Sequence, residues 1–388
     1  MRCLVFYVSA GNGHKSAAES VRNNFKSINP DAEVECLDIL KCTNKIVDKF
    51  ISVGYEKTIK ISPYIFGKVY YHTEKTQDVI FSNVSYAVNK SMTFKLIPLI
   101  NRFDPDIIIS THPFATEIIS ILKRKYSYRI PLVTLLTDFM PHSAWIQPQN
   151  NAYIVSNETM IDEIAKYGIK RDNIYDFGIP IREGFLKEYN REEVLKELDL
   201  DPNVFTLLVM GGTTSSSKLE KLLEVVCKLD LPMQVVAVAG GSQRLYNSFL
   251  EIQKTSQIKT TVLGFTTKIP ELMKSCDAIV TKPGGLTITE CLVSKIPIII
   301  VFPIPGVEMR NKEFLLSNKL AFLVENSKEV RALMKEIIAD KTILKEMRDR
   351  YSNHAHLNSA KDIYNLSVDI INEYRKVKYA KLNPVLIH

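Results

Sequence analysis

Short apolar strands alternate with amphipathic helices along this chain, and they do so in both halves. Arg2 to Val8 reads as a strand, Ser9-Ala10-Gly11-Asn12-Gly13-His14 as a Gly-rich turn, and Lys15 to Phe25 as a helix burying Ala17, Ala18, Val21 and Phe25. Further strands are expected at Glu33 to Asp38, Asp106 to Ser110, Pro131 to Leu136 and Ala152 to Val155, and a helix from Glu158 to Tyr167. Gly178-Ile179-Pro180-Ile181-Arg182 breaks the pattern as a hinge, with Gly184 just beyond it and a charged helix from Arg191 to Leu198. The second half then repeats the logic. It places strands at Val204 to Met210, Met233 to Ala239, Thr261 to Leu263, Ala278 to Val280 and Ile296 to Val301, and a helix from Lys218 to Cys227. Such repetition predicts an α/β fold of two doubly wound parallel sheets, and 388 residues suffice for two cores. Beyond Lys328 the pattern is helical to about Tyr379, with His354 and His356 as surface residues rather than a metal pair.

One stretch carries the most chemistry: Thr281-Lys282-Pro283-Gly284-Gly285-Leu286-Thr287-Ile288-Thr289-Glu290. It joins an apolar strand to a helix starting near Gly285, whose buried face holds Ile288, Leu292 and Val293. Free N–H groups at such a helix start, with the helix dipole, favour a phosphate. Glu290, one turn on, can accept hydrogen bonds from both hydroxyls of a ribose. Together these spell a nucleotide. A tight turn with a solvated Glu is the plainer reading of the same residues.

The first Gly-rich turn fails two familiar tests. A dinucleotide fingerprint needs a Gly where Ser16 stands, and a P-loop needs a Gly where His14 stands. What remains is a His at the carboxyl edge of a parallel sheet, where ligands bind. Two other strands end in polar residues there: Thr111-His112-Pro113, and Thr137-Asp138-Phe139 followed by His142 and the lone Trp145. His112 could equally cap a helix or pack beneath its loop.

Hydrophobic content of 46% and charged content of 24% are those of an ordinary globular protein, with a net charge of +7. Six scattered cysteines without a Cys-x-x-Cys fit a reducing cytoplasm rather than disulfides or zinc. No signal peptide is visible, and the longest apolar run, Ile296 to Pro303, is far below the ~20 residues of a spanning helix. Membrane contact is therefore expected to be peripheral. Residues 41–71 set six lysines against Asp48 and Glu56, interleaved with Phe50, Tyr55, Tyr64, Phe66, Tyr70 and Tyr71. That composition suits an anionic membrane surface, or a helical excursion with solvated lysines. No nucleic-acid recognition motif is present, and none is expected as a partner.

These residues carry a resemblance. Ser9 to His14 resembles the first loop of monogalactosyldiacylglycerol synthases and processive diacylglycerol glucosyltransferases. Lys282 to Thr287 with Glu290 resembles their nucleotide-sugar motif, and Pro303-Ile304-Pro305-Gly306 with Glu308 and Asn311 resembles their donor-sugar loop. Thr137-Asp138 with His142 and Trp145 fits the same pattern, and the peptidoglycan N-acetylglucosaminyltransferase is a more distant relative. The resemblance implies a GT-B fold, two facing Rossmann-like domains with a cleft between them. It implies an acceptor and membrane-associated domain over 1–180 and a UDP-sugar donor domain over 181–357. A closing helix, about 358–380, would return to the first. It also implies an inverting hexosyltransferase acting on diacylglycerol or a glycosyl-diacylglycerol at the inner face of the cell membrane. The sequence departs from the pattern at Val307, where the family has Gln, and at Arg310, where it has a small residue.

Sugar transfer needs a base for the acceptor hydroxyl and stabilisation of the departing diphosphate. His14 is the candidate base, with Asp138 orienting it or the acceptor, or merely capping a loop. Gly11, Asn12, Gly13, His142 and Trp145 would line the acceptor side. Gly212, Thr213 and Thr214, with the helix start at Pro283 to Thr287, would hold the diphosphate. Backbone near Phe265 is where the resemblance puts the uracil; Pro305, Gly306, Glu308 and Asn311 would meet the sugar. No paired carboxylates suit Mg²⁺, so no metal cofactor is expected. Alternatives on the same fold are transfer of N-acetylglucosamine to another lipid-linked acceptor, a UDP-sugar 2-epimerase, and a non-catalytic UDP-sugar sensor.

Overall fold

A computed structural model describes residues 1–9, 12–43, 93–211, 216–301, 303 and 307–382. The Lys- and aromatic-rich segment falls almost wholly outside these residues. So do Gly11, Gly212, Thr213, Thr214, Pro305 and Gly306.

The described residues divide into two compact units: one runs to Arg182 and resumes at Asn358, and the other spans Glu183–Leu357. In the first unit six parallel strands form one sheet: β1 (Arg2–Tyr7), β2 (Glu33–Asp38), β3 (Ile107–Ser110), β4 (Leu132–Leu135), β5 (Ala152–Val155) and β6 (Ile174–Asp176). Their order is β2-β1-β3-β4-β5-β6. The chain steps from β1 to β2 on one side and then restarts at β3 on the other. Phe6 of β1 pairs with Ser110 of β3, so the loops leaving these strands emerge side by side.

The helices of this unit are α1 (Asn12–Ile28), α2 (Ile39–Thr43), α3 (93–103), α4 (Pro113–Tyr126) and α5 (Thr159–Ala165). Strands β3, β4 and β5 are buried at every position, as expected of parallel strands covered on both faces. Leu4, Phe6, Ile108, Ile118, Ile119 and Leu122 form one core cluster between sheet and helices.

The second unit holds β7 (Phe205–Met210), β8 (Met233–Val238), β9 (Thr260–Leu263), β10 (Ala278–Thr281), β11 (Ile298–Ile300) and β12 (Ala321–Leu323). All its strands are parallel, in the order β12-β11-β10-β7-β8-β9. Read from β9, this is the third, second, first, fourth, fifth and sixth strand of the unit, the doubly wound order of nucleotide-binding folds. The direction of winding reverses between β7 and β10, where Val209 pairs with Val280. The turns after Met210 and Thr281 therefore start next to each other. Helices α6 (Arg191–Glu197), α7 (Ser216–Cys227), α8 (Gln243–Lys254), α9 (Ile269–Ser275), α10 (Gly285–Ser294), α11 (Val307–Ser317), α12 (Ser327–Ala339) and α13 (Lys341–Tyr351) surround the sheet.

The last helix, α14 (Ser359–Leu382), belongs to the first unit. Its Ser359 hydroxyl donates to the Gly178 carbonyl at 2.9 Å, and Tyr364 stands edge-on to Phe25 at 5.2 Å. Arg375 donates to Asp106 at 2.7 Å, and Asp106 also accepts from the Arg2 amide. Gly178 has φ of 76°, a left-handed conformation that a Cβ would strain, so the hinge turns there.

The tail is helical as expected, in three helices, the first two divided where Asp340 ends α12 and caps α13, accepting from the Thr342 amide at 2.9 Å. One expectation needs correcting. His354 and His356 sit in the connection before α14 and are half-buried, His354 edge-on to Phe314 at 5.7 Å. Strands β6 and β12 were not anticipated; each is three residues long, too short for a periodic signal.

Candidate active site

His14 lies in the first turn of α1, beside the reversal between β1 and β3, so the helix starts earlier than the sequence suggested. Its Nδ1 is 2.6 Å from the Thr111 carbonyl and 3.0 Å from Thr137 Oγ1. A carbonyl only accepts, so Nδ1 carries the ring proton and the lone pair sits on Nε2. Thr111 also donates its hydroxyl to the main-chain carbonyl of His14 at 2.9 Å. Burial pushes the His14 pKa from 6.5 to about 4, against the opposing pull of the Thr111 carbonyl. The ring is therefore neutral at ordinary pH and able to accept a proton at Nε2.

His112 packs edge-on against His14 at 4.6 Å between ring centroids. Its Nδ1 accepts the Phe114 amide at the start of α4, so His112 is a helix cap, the plainer of its two readings. Burial first, and then His14, hold its pKa well below the usual imidazole value. His142 is likewise buried and caps the short turn Ser143–Trp145, accepting from the Ala144 amide at 3.1 Å.

Trp145 is 2% exposed and packs with Leu136, Tyr153 and Met160, its ring 6.4 Å from that of His14. It backs the His14 pocket from the core, a correction to its expected place on an acceptor surface. Asp138 is half-buried after β4, and its carbonyl accepts from Ser156 at 2.8 Å. The Nδ1 position where an orienting carboxylate would bind is held by Thr111 and Thr137. Gly13 faces open space. Asn12 opens α1.

In the second unit, β10 delivers Lys282, Pro283 and Gly284 to the start of α10. Gly284 is the N-cap at φ −75° and ψ 139°, without a side-chain cap bond. Any residue tolerates that conformation, and a Cβ would come no closer than 3.9 Å to Thr287 Oγ1. What Gly284 keeps is free space above the helix start, where the amides of Gly285, Leu286 and Thr287 point by helix geometry. Glu290 is buried on the next turn at 8% exposure.

Two residues expected to meet the sugar are engaged by this turn. Asn311, 1% exposed, donates to the Pro283 carbonyl at 3.0 Å, and Glu308 pairs with Lys282 at 3.2 Å. Both bonds tie α11 to the turn before α10. Phe265, just beyond β9, is 79% exposed, an unpacked aromatic on the ligand edge of the sheet. Among the described residues no cluster of His, Cys, Asp or Glu could hold a metal ion, and no helix is long and apolar enough to cross a membrane.

Comparison with known proteins fits this division of the chain. The family model for monogalactosyldiacylglycerol synthase matches residues 14–181, and that for the glycosyltransferase family 28 C-terminal domain matches residues 206–366. A processive diacylglycerol beta-glucosyltransferase of Staphylococcus saprophyticus is 31% identical over 316 residues, 80% of this chain and 78% of that protein. The chain belongs to the diacylglycerol glycosyltransferase family. A second member, from Bacillus licheniformis, is 27% identical over 95% of this chain and 94% of its own length.

Among solved structures, MurG of Acinetobacter baumannii superimposes with a TM-score of 0.64 at 13% identity, over 95% of this chain and 99% of that one. The UDP-GlcNAc 2-epimerase of Neisseria meningitidis does so at 0.59 and 11%, over 95% and 100%. These likenesses establish the GT-B fold, which transferases and epimerases share. Sequence kinship sets this member of the family among the transferases.

Proposed function

We propose that this enzyme transfers a hexose from a UDP-sugar to diacylglycerol or a glycosyl-diacylglycerol, with inversion at the anomeric carbon. The observation that carries the reading is the 2.6 Å contact of His14 Nδ1 with the Thr111 carbonyl, which leaves the lone pair on Nε2. In this mechanism Nε2 takes the proton of the acceptor hydroxyl as its oxygen attacks the anomeric carbon. The bond to the diphosphate breaks on the opposite face, and UDP leaves with the electron pair. General-base help of this kind is worth about 10²- to 10⁴-fold.

The leaving diphosphate would rest on the amides of Gly285, Leu286 and Thr287 and on the hydroxyl-rich turn Gly212, Thr213 and Thr214. Glu290 would bind the ribose, and backbone near Phe265 the uracil. These fixed donors meet the developing charge, so we assign no metal cofactor. Asp138 is left to orient the acceptor. We further propose that residues 41–71 bring the enzyme to the anionic inner face of the membrane. Changing Lys57, Lys60 and Lys68 to Glu should then lower binding to anionic vesicles, and unchanged binding would refute it.

The decisive experiment is a screen of UDP-sugars against diacylglycerol in mixed micelles, read by mass spectrometry. A mono- or oligoglycosyl-diacylglycerol product supports the reading. Consumption of UDP-sugar with no glycolipid formed, and with an epimerised sugar nucleotide instead, overturns it.

A further inference from the structure

Helices α7 and α12 lie side by side over the second sheet. Leu222, Leu223 and Val226 of α7 and Val330, Met334 and Ile337 of α12 face the core. Away from the sheet they leave a groove of about 540 Å³ lined by Val225, Lys228, Lys328, Arg331, Ala332 and Lys335. Four of the six lining residues are cations, and no acid lines the groove. On α12 the spacing of Lys328, Arg331 and Lys335 is i, i+3 and i+7, which sets all three along one face.

Several exposed cations of this unit are neutralised. Arg244 pairs with Glu220 at 2.8 Å, Lys254 with Glu251 at 2.7 Å and Lys268 with Glu197 at 2.6 Å. Among the described residues, none of the four groove cations forms an ion pair with an acid. Massed like charges repel one another, and an anionic surface facing them turns that repulsion into attraction. All four are exposed, and Val225 and Ala332 give the groove a small apolar floor. Cations spread over a shallow apolar floor match a layer of anions better than a single enclosed one.

We propose that the α7–α12 groove docks the anionic headgroups of a lipid bilayer. It is a second membrane surface, on the unit that carries the Glu290 turn. The proposal rests on the reading that the acceptor is a lipid.

The test is sedimentation of the full chain with phosphatidylglycerol–phosphatidylcholine vesicles, against phosphatidylcholine alone. Each cation near such a surface is worth about five-fold in binding, so Lys328→Gln with Arg331→Gln and Lys335→Gln should weaken binding to the anionic vesicles by about 100-fold. Gln is a good helix former and the sites are exposed, so the fold should hold, and calorimetric UDP binding should be unchanged. Lys228→Gln, just beyond the end of α7, is the second variant, with about a five-fold loss expected should the triple variant not fold.

Wild-type binding by a folded triple variant, or by Lys228→Gln, overturns the proposal. So does competition by inorganic phosphate at an ionic strength where chloride has no effect, which would mark a site for a free anion. Loss of vesicle binding in an enzyme that glycosylates no diacylglycerol in micelles would fell the acceptor assignment and leave the surface standing.

Discussion

Thr111 grips His14 at two points. Its carbonyl accepts a hydrogen bond from His14 Nδ1 at 2.6 Å, and its hydroxyl donates to the His14 main-chain carbonyl at 2.9 Å. Thr111 is itself fixed by its amide, which donates to the Phe6 carbonyl of β1 at 3.0 Å. Sheet edge, helix start and imidazole are thus one hydrogen-bonded assembly, and the orientation of Nε2 follows from it.

His14→Ala should therefore lose about two to four orders of magnitude in kcat. A base needed only in the transition state lowers kcat and kcat/KM together. Steady-state kinetics and UDP calorimetry on the variant check this. A raised KM with kcat preserved would make His14 a binding residue and turn attention to Asp138.

The acid limb of the kcat profile should lie near pH 4 rather than 6.5, because the neutral ring is the active form and burial lowers its pKa. The same shift acts on stability. Between about pH 6.5 and 4 the unfolded chain takes up a proton that folded His14 refuses, so stability falls as pH falls through that window. The contribution is present in full above it and amounts to roughly 3 kcal/mol. Urea unfolding at the two ends of the window measures it, and His14→Gln should flatten the slope.

Glu290→Ala should weaken UDP binding by roughly 1.5–3 kcal/mol, the worth of a hydrogen bond to a charged group. Calorimetry on the folded variant is the check, and unchanged affinity would remove Glu290 from the ribose.

Lys282→Met removes the ammonium that the Glu308 carboxylate, 17% exposed, meets at 3.2 Å. Both donor affinity and melting temperature should fall, and Glu308→Gln in the same chain should restore part of the stability. A double-mutant cycle should return a coupling of roughly 0.5–3 kcal/mol. Strict additivity would mean that the pair is solvated and inert.

Saturating EDTA should leave the rate of transfer unchanged, since the diphosphate is assigned to main-chain and hydroxyl donors. A rate lost to EDTA and recovered with Mg²⁺ would contradict that assignment.

Strands such as β2 and β5 were legible residue for residue: β5 is a short apolar run buried at every position, and β2, at the edge of its sheet, alternates exposed Glu33 and Glu35 with buried Val34. The Glu290 helix was legible for a similar reason: strand, glycines and amphipathic helix are contiguous. The support of His14 was not. A main-chain carbonyl accepts a proton whatever side chain it carries, so nothing in the identity of Thr111, 97 residues away, announces the contact. Asn311 was noticed for its motif, but its bond to the Pro283 carbonyl depends on how α11 lies against the turn. Trp145 misled because a lone aromatic beside polar residues looks like a ligand wall until the packing shows it in the core.

The return of α14 makes the first unit discontinuous in the chain. During synthesis its strands leave the ribosome first, yet the faces of Phe25, Asn29 and Asp106 wait uncovered until Tyr364 and Arg375 are made. Among the described residues the second unit is contiguous, and it has all its residues before that moment. The half of the enzyme begun first is thus the half finished last, and its seam stays open until α14 is made.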